Sequence, residues 1–143
     1  MSIIDQLRGT SWELVTYQSE SKDGEVLYPL GEDAKGTIIF TEAEHTAVQI
    51  MAADRAHTPS EEELADYNTE TEKEMARLGY HAYTGPFTID EEKSVLTTHV
   101  KYSLISEYVD TMQPRSASID SETLKLSNVK HPERKLVWKK ITK

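Results

Sequence analysis

Arg115 makes the sharpest chemical demand in this chain. It lies in the run 111–119, where Thr111, Gln113, Arg115, Ala117 and Ile119 recur at every second position and share a face. That company turns Arg115 and Gln113 inward. A buried guanidinium needs a partner, either an internal carboxylate or an anionic or carbonyl group on a ligand. Tyr83 and Tyr102 fall on the inward side of a neighbouring hairpin, and each would offer apolar surface with one hydroxyl. Met51, Phe87 and Val100 supply apolar wall, and Arg55, at the end of a strand, could guard a mouth or cap a loop. These eight residues form the candidate ligand-binding set.

Other chemistry is poorly supplied. The histidines His45, His57, His81, His99 and His131 include no pair two apart on a strand or four apart on a helix, so metal binding is not expected. His99 could act as a general base, but the strand register turns it outward. There is no glycine-rich phosphate loop and no nucleophile elbow, and the Glu61-Glu62-Glu63 run suits a helix N-terminus. No catalytic residue and no cofactor are assigned. Without cysteine there is no disulfide and no thiolate.

The elements that must hold these residues are mainly strands. His81, Tyr83, Phe87 and Ile89 alternate with smaller residues, and Leu96, Thr98, Val100 and Tyr102 do the same after an acidic turn. A loop over Asp90–Lys93 would set Ile89 opposite Ser94, Phe87 opposite Leu96 and Tyr83 opposite Val100. Gly85-Pro86 marks a bulge or an edge. Further strands are expected at 10–17, 26–28, 36–41, 46–53 and 111–119, around Leu124 and Leu126, and from Leu136 to Lys140. Ser2–Arg8 reads as a short helical turn closing one end. One long helix is expected over about 59–79, with Thr58 as N-cap, Pro59 at its first position, Glu61 closing a capping box and Gly79 as its stop. The pattern is a single domain over 1–143, an antiparallel barrel or sandwich of roughly eight or nine strands with one inserted helix.

Composition agrees with a globular domain. Apolar residues are 37% and charged residues 29% of the chain, which rejects disorder. A formal net charge of -9 argues against nucleic acid and anionic membrane as partners. No apolar run approaches the length of a membrane span, and the expected setting is cytoplasmic.

Gly9-Thr10-Ser11-Trp12, opening the first strand, resembles the G-x-W signature of lipocalin and calycin barrels with one more residue between glycine and tryptophan. Tyr28-Pro29-Leu30-Gly31, Gly36-Thr37-Ile38-Ile39-Phe40, Ala82-Tyr83-Thr84-Gly85-Pro86-Phe87, Gln113-Pro114-Arg115 and Leu136-Val137-Trp138 follow in order. Together they resemble the bacterial and fungal lipocalin-like domain family over nearly the whole chain. The resemblance implies a closed antiparallel barrel of about eight strands, with the one inserted helix, whose interior holds a small ligand. Family members often carry a His-His pair where this chain has Thr98-His99. They often end Trp-Glu-Arg, where Trp138 is followed here by Lys139 and Lys140, so Lys140 would cover Trp12 in place of an arginine.

The reading that follows is a barrel binding a small, mostly apolar molecule with one polar or anionic group, held by Arg115 and Tyr83. The alternative from another class is a cyclase or isomerase in the same cavity. A third reading fills the barrel with its own side chains and leaves the surface, including a homodimer, as the working part.

Overall fold

The computed structural model describes residues 2–142. Ten strands form one antiparallel sheet: β1 Thr10–Glu20, β2 Val26–Leu27, β3 Lys35–Phe40, β4 His45–Met51, β5 Tyr80–Asp90, β6 Val95–His99, β7 Tyr102–Ser103, β8 Met112–Ile119, β9 Thr123–Asn128 and β10 Lys135–Lys140. Around the barrel the order is β1, β3, β4, β5, β6, β8, β9, β10, and β10 pairs back onto β1, so the sheet closes on itself. The two-residue strands β2 and β7 hang on β1 and β5. Closure removes the unpaired edges that an open sheet would expose.

The inward residues are those the alternation marks: Ile38 and Phe40, Val48 and Ile50, Tyr83 and Phe87, Leu96 and Thr98, Leu124 and Leu126. Phe40 and Phe87 meet edge to face at 5.4 Å. In β1 the inward face changes hands. Trp12 and Leu14 are buried, the pairing with β10 slips between Leu14 and Thr16, and beyond the slip Tyr17 and Ser19 are buried instead.

One end is closed by α1, Ile3–Leu7. Leu7 is fully buried, and the backbone amides of Ile3 and Ile4 donate to the Glu91 carboxylate in the β5–β6 turn at 2.8 and 3.1 Å. Trp12 packs beside it, its indole N–H donating to Thr10 at 2.9 Å and the Lys140 ammonium lying 6.0 Å from its ring centroid.

The segment expected as one helix is two, α2 Glu61–Ala65 and α3 Glu70–Leu78. Ser60 caps α2 in a capping box with Glu63, not Thr58 with Glu61. Thr69 caps α3 and Gly79 ends it in the left-handed conformation. The spacing of Leu64, Tyr67, Thr71, Met75 and Leu78 would put all five on one apolar stripe of a single helix; the break resets the helical phase, so α3 buries Glu72, Met75 and Ala76, while Leu78 is exposed.

The hairpin register also differs. Its loop is one residue later, with Asp90 opposite Val95, Ile89 opposite Leu96 and Phe87 opposite Thr98. Both partners move together, so the inward and outward faces stay as expected and His99 lies on the outward-alternating side. The irregularity foreseen at Gly85-Pro86 falls on the facing strand. A Cβ on Gly85 would sit 1.8 Å from the His99 carbonyl oxygen, so only glycine admits that approach.

Candidate functional site

The free end of the barrel is roofed by α3, through Met75, and by a short 3₁₀ turn at Ser106–Tyr108, while α2 packs Leu64 beside Tyr67, Ala76 and Leu27. Beneath this roof is a cavity. Its floor is Ile38, Val48, Ile50, Leu126, Leu136 and Trp138, and its upper wall is Tyr17, Met75, His81, Tyr83, Tyr108, Arg115, Asn128 and Arg134. The space open to the centre of a water-sized sphere is about 40 Å³. At roughly 10–15 Å³ per water, that is room for about three waters, the size of a short organic molecule. Tyr108, Arg115, Asn128 and Arg134 also line a surface depression of about 240 Å³ by the same measure. These four residues separate the inside from the outside.

Two arginines reach this doorway, and they are treated differently. Arg134 lies just before β10 and is neutralised. Its Nε donates to the Glu72 carboxylate at 3.0 Å, and Glu72 is fully buried on α3. The Ser19 hydroxyl donates to the same carboxylate at 2.5 Å and the Thr69 hydroxyl at 3.2 Å, while Arg134 Nη2 donates to Thr69 Oγ1 at 2.6 Å. The network joins α3, β1 and the β9–β10 turn across the mouth. Breaking such a pair leaves an uncompensated buried charge, a loss of about 3–5 kcal/mol.

Arg115, on β8, is 9% exposed. Its Nη1 donates to the Pro114 carbonyl at 2.9 Å and its Nη2 to Gln113 Oε1 at 3.3 Å, and Gln113 is oriented in turn by Thr111 at 2.8 Å. Both acceptors are neutral. Among the described residues no carboxylate lies within ion-pair distance of Arg115. The buried lining therefore holds two guanidinium groups against one carboxylate and keeps a surplus positive charge.

His81 does not add to that charge. It is buried against Tyr83 and Tyr108, with ring centroids at 5.3 Å from each. Burial, reinforced by Arg115 and Arg134, lowers its pKa to about 3, so it is neutral near pH 7. Among the described residues its Nδ1 has no hydrogen-bond partner. Burial raises the pKa of both Tyr17 and Tyr83, so their hydroxyls stay protonated. Trp138 is fully buried, and its indole N–H also finds no acceptor.

The profile of the lipocalin-like domain family matches residues 9–141. The chain belongs to that family. No curated protein and no solved structure matches it. The closed barrel fits that membership, and a lipocalin-like fold suggests ligand binding in general.

Within this lipocalin-like barrel the eight residues singled out from the sequence separate into groups. Arg115 and Tyr83 line the cavity. Gln113 lies at the outer depression and holds Arg115. Phe87 and Val100 are buried core and are not part of the cavity lining. The other three lie outside the barrel interior. Tyr102, expected inward, is 75% exposed, because an extra residue between β6 and β7 reverses the alternation after Val100. Met51 is on the outer face of β4, opposite in phase to Ile50. Arg55 is exposed, its guanidinium 5.1 Å from the Tyr80 ring centroid.

Glu72, Arg134, Tyr108 and Trp138 were not read as site residues. Glu72 looks like a solvated helix acid and Arg134 like a turn cation. The three-residue spacing of Ile105 and Tyr108 was the available signal for the turn that brings Tyr108 inward.

Proposed function

We propose that the barrel binds a small, mostly apolar organic anion, with its charged group on Arg115 and its body against the apolar floor. The observation that carries this reading is the unpaired Arg115. A buried cation without a counter-charge is strongly disfavoured, and a ligand carboxylate would both neutralise it and accept two parallel N–H bonds. Tyr83, on the same wall, adds a neutral hydroxyl. Gln113 holds the guanidinium ready at the doorway. At the outer depression Lys130 lies opposite Glu107, and His131 is paired with Glu133 at 3.4 Å, so Arg115 is the cation left there for an anion.

An isomerase in the same cavity would need a base, and His81 is the group aimed there. A base with pKa about 3 has little thrust toward a carbon acid at neutral pH. Binding is therefore the better supported reading.

The space as it stands takes about three waters, so a chain of several carbons must also displace Met75 or Tyr108, which close the mouth. Hexanoate titrated into the ¹⁵N-labelled protein should bind and shift amides lining the mouth, while hexan-1-ol, of the same length but uncharged, should bind at least about tenfold more weakly. Arg115→Gln should lose the preference for hexanoate over hexan-1-ol and keep its fold. Equal affinity for the acid in both proteins would remove Arg115 from the site and the proposal with it.

A further inference from the structure

An anion on Arg115 meets a second group at the doorway, Asn128, and the class of acid that follows rests on that reading of Arg115. The two residues are direct cross-strand partners on β8 and β9, with Cα atoms about 5 Å apart. Both are buried, at 9% and 8% exposure, and both line the cavity and the outer depression.

A side-chain amide has an acceptor end and a donor end, and the fold uses only one of them. Asn128 Oδ1 accepts the backbone amides of Lys130 at 2.9 Å and His131 at 3.0 Å, in the turn that leads to β10. Only an oxygen can accept those two bonds, which fixes the amide the right way round. Among the described residues Asn128 Nδ2 donates to nothing. It is not sealed in, as the unpartnered His81 Nδ1 and Trp138 Nε1 are. Asn128 therefore presents a fixed, open pair of N–H groups beside Arg115, and such donors are met by oxygen.

Donors cannot satisfy one another. Arg115 spends one N–H of Nη1 on Pro114 and one of Nη2 on Gln113. With about three N–H groups left on Arg115 and about two on Asn128, the pair offers more donors than the roughly four bonds a carboxylate accepts. The neighbouring acceptors are already taken, Gln113 Oε1 by Arg115 and Asn128 Oδ1 by the turn. The site thus asks for a carboxylate and one more oxygen close to it. A 2-ammonium group would bring a cation to a surplus cation. The head of such a ligand lies at the doorway, so only its tail must enter the space for about three waters.

We propose that Asn128 is a second ligand-binding residue, and that the ligand is a short-chain acid with an acceptor oxygen, oxo or hydroxyl, on the carbon next to its carboxylate. The carboxylate sits on Arg115, the 2-oxygen accepts from Asn128 Nδ2, and the short alkyl tail lies toward Leu126 and Leu136.

The titrants for the ¹⁵N-labelled protein are butanoate, 2-oxobutanoate, 2-hydroxybutanoate, 4-hydroxybutanoate and 2-aminobutanoate. At least one of the two 2-oxygenated acids should bind about tenfold tighter than butanoate. It should move the side-chain NH₂ signals of Asn128 and leave in place those of Asn68, which donates to the Glu20 carbonyl. 4-Hydroxybutanoate and 2-aminobutanoate should show no gain over butanoate. In Asn128→Ala the advantage of the 2-oxygen should vanish. If Asn128→Ala does not fold, because the turn has lost its acceptor, the order of the acids and the Asn128 NH₂ shift in the wild-type protein decide alone. The inference is overturned if neither 2-oxygenated acid exceeds butanoate, if 4-hydroxybutanoate or 2-aminobutanoate gains as much, or if a gain appears with the Asn128 NH₂ signals unmoved. Each of those results leaves intact an Arg115-dependent preference for hexanoate over hexan-1-ol, and loss of that preference would instead strike the proposed function.

Discussion

At the scale of single residues, the cavity is defined by how each buried polar group is satisfied. Arg134 and Glu72 satisfy one another, and Ser19 and Thr69 complete the carboxylate's hydrogen bonds. Arg115 has only neutral acceptors. His81 avoids the problem by staying uncharged, and this has a consequence for stability. Its folded pKa of about 3 lies below the ordinary 6.5. Between those values the unfolded chain binds a proton that the folded chain refuses. The His81 contribution is therefore complete above about pH 6.5 and is lost as pH falls toward about 3, at up to about 1.4 kcal/mol per pH unit. Urea unfolding between about pH 7.5 and pH 5 should show a steeper loss for the wild-type protein than for His81→Phe, which keeps the ring contacts and removes the titration. Parallel pH dependences would mean that His81 takes up its proton in the folded barrel as readily as in the unfolded chain. Arg115 was legible from sequence because Ala117 and Ile119 fix its face. Glu72 was not, since one acid among Glu70, Glu72 and Glu74 shows no sign of which turns inward until the partner from a distant turn is in place.

At the scale of elements, the roof is the part whose sequence pattern misleads. Alternation describes the strands well, because a closed sheet buries one side of every strand. The exceptions are local: the slip in β1 that brings Tyr17 and Ser19 inside, and the extra residue that turns Tyr102 out. Both arise where strands of unequal length must stay in register around a closed barrel, which a single strand's pattern does not encode. In the helical segment, Leu64, Tyr67, Thr71, Met75 and Leu78 make one continuous stripe on paper, yet Thr69 starts a second helix. Its hydroxyl accepts the Glu72 amide at 3.2 Å and also contacts the Glu72 carboxylate and Arg134. Ser60 serves only its own helix. Ser60→Ala should lower stability by about 1 kcal/mol, an ordinary cap loss. Thr69→Ala should lower it by clearly more, about 2–3 kcal/mol, because a buried charged group also loses a partner. Equal losses in denaturant titrations of the two variants would show that Thr69 is a cap and nothing further.

At the scale of the whole molecule, the barrel concentrates its few unsatisfied groups in one place. α1 and Glu91 seal one end, with Trp12 and Lys140 stacked beside them. The other end keeps a small space, a doorway and a surplus positive charge in a chain of net charge -9. The strands were visible in the sequence through alternation, and barrel closure and the Trp12 end through the resemblance carried by Gly9 to Trp12 and the motifs after it. The cavity was not, because its volume depends on how Met75 and Tyr108 fill the mouth, and those positions come from the roof. Anomalous diffraction from crystals grown with 6-bromohexanoate would test occupancy of the interior. The bromine peak should lie within the barrel, against the floor formed by Ile38, Val48 and Leu126, with the carboxylate on Arg115. A bromine on the outer surface, or a carboxylate bound away from Arg115, would contradict a ligand-binding interior organised by that arginine.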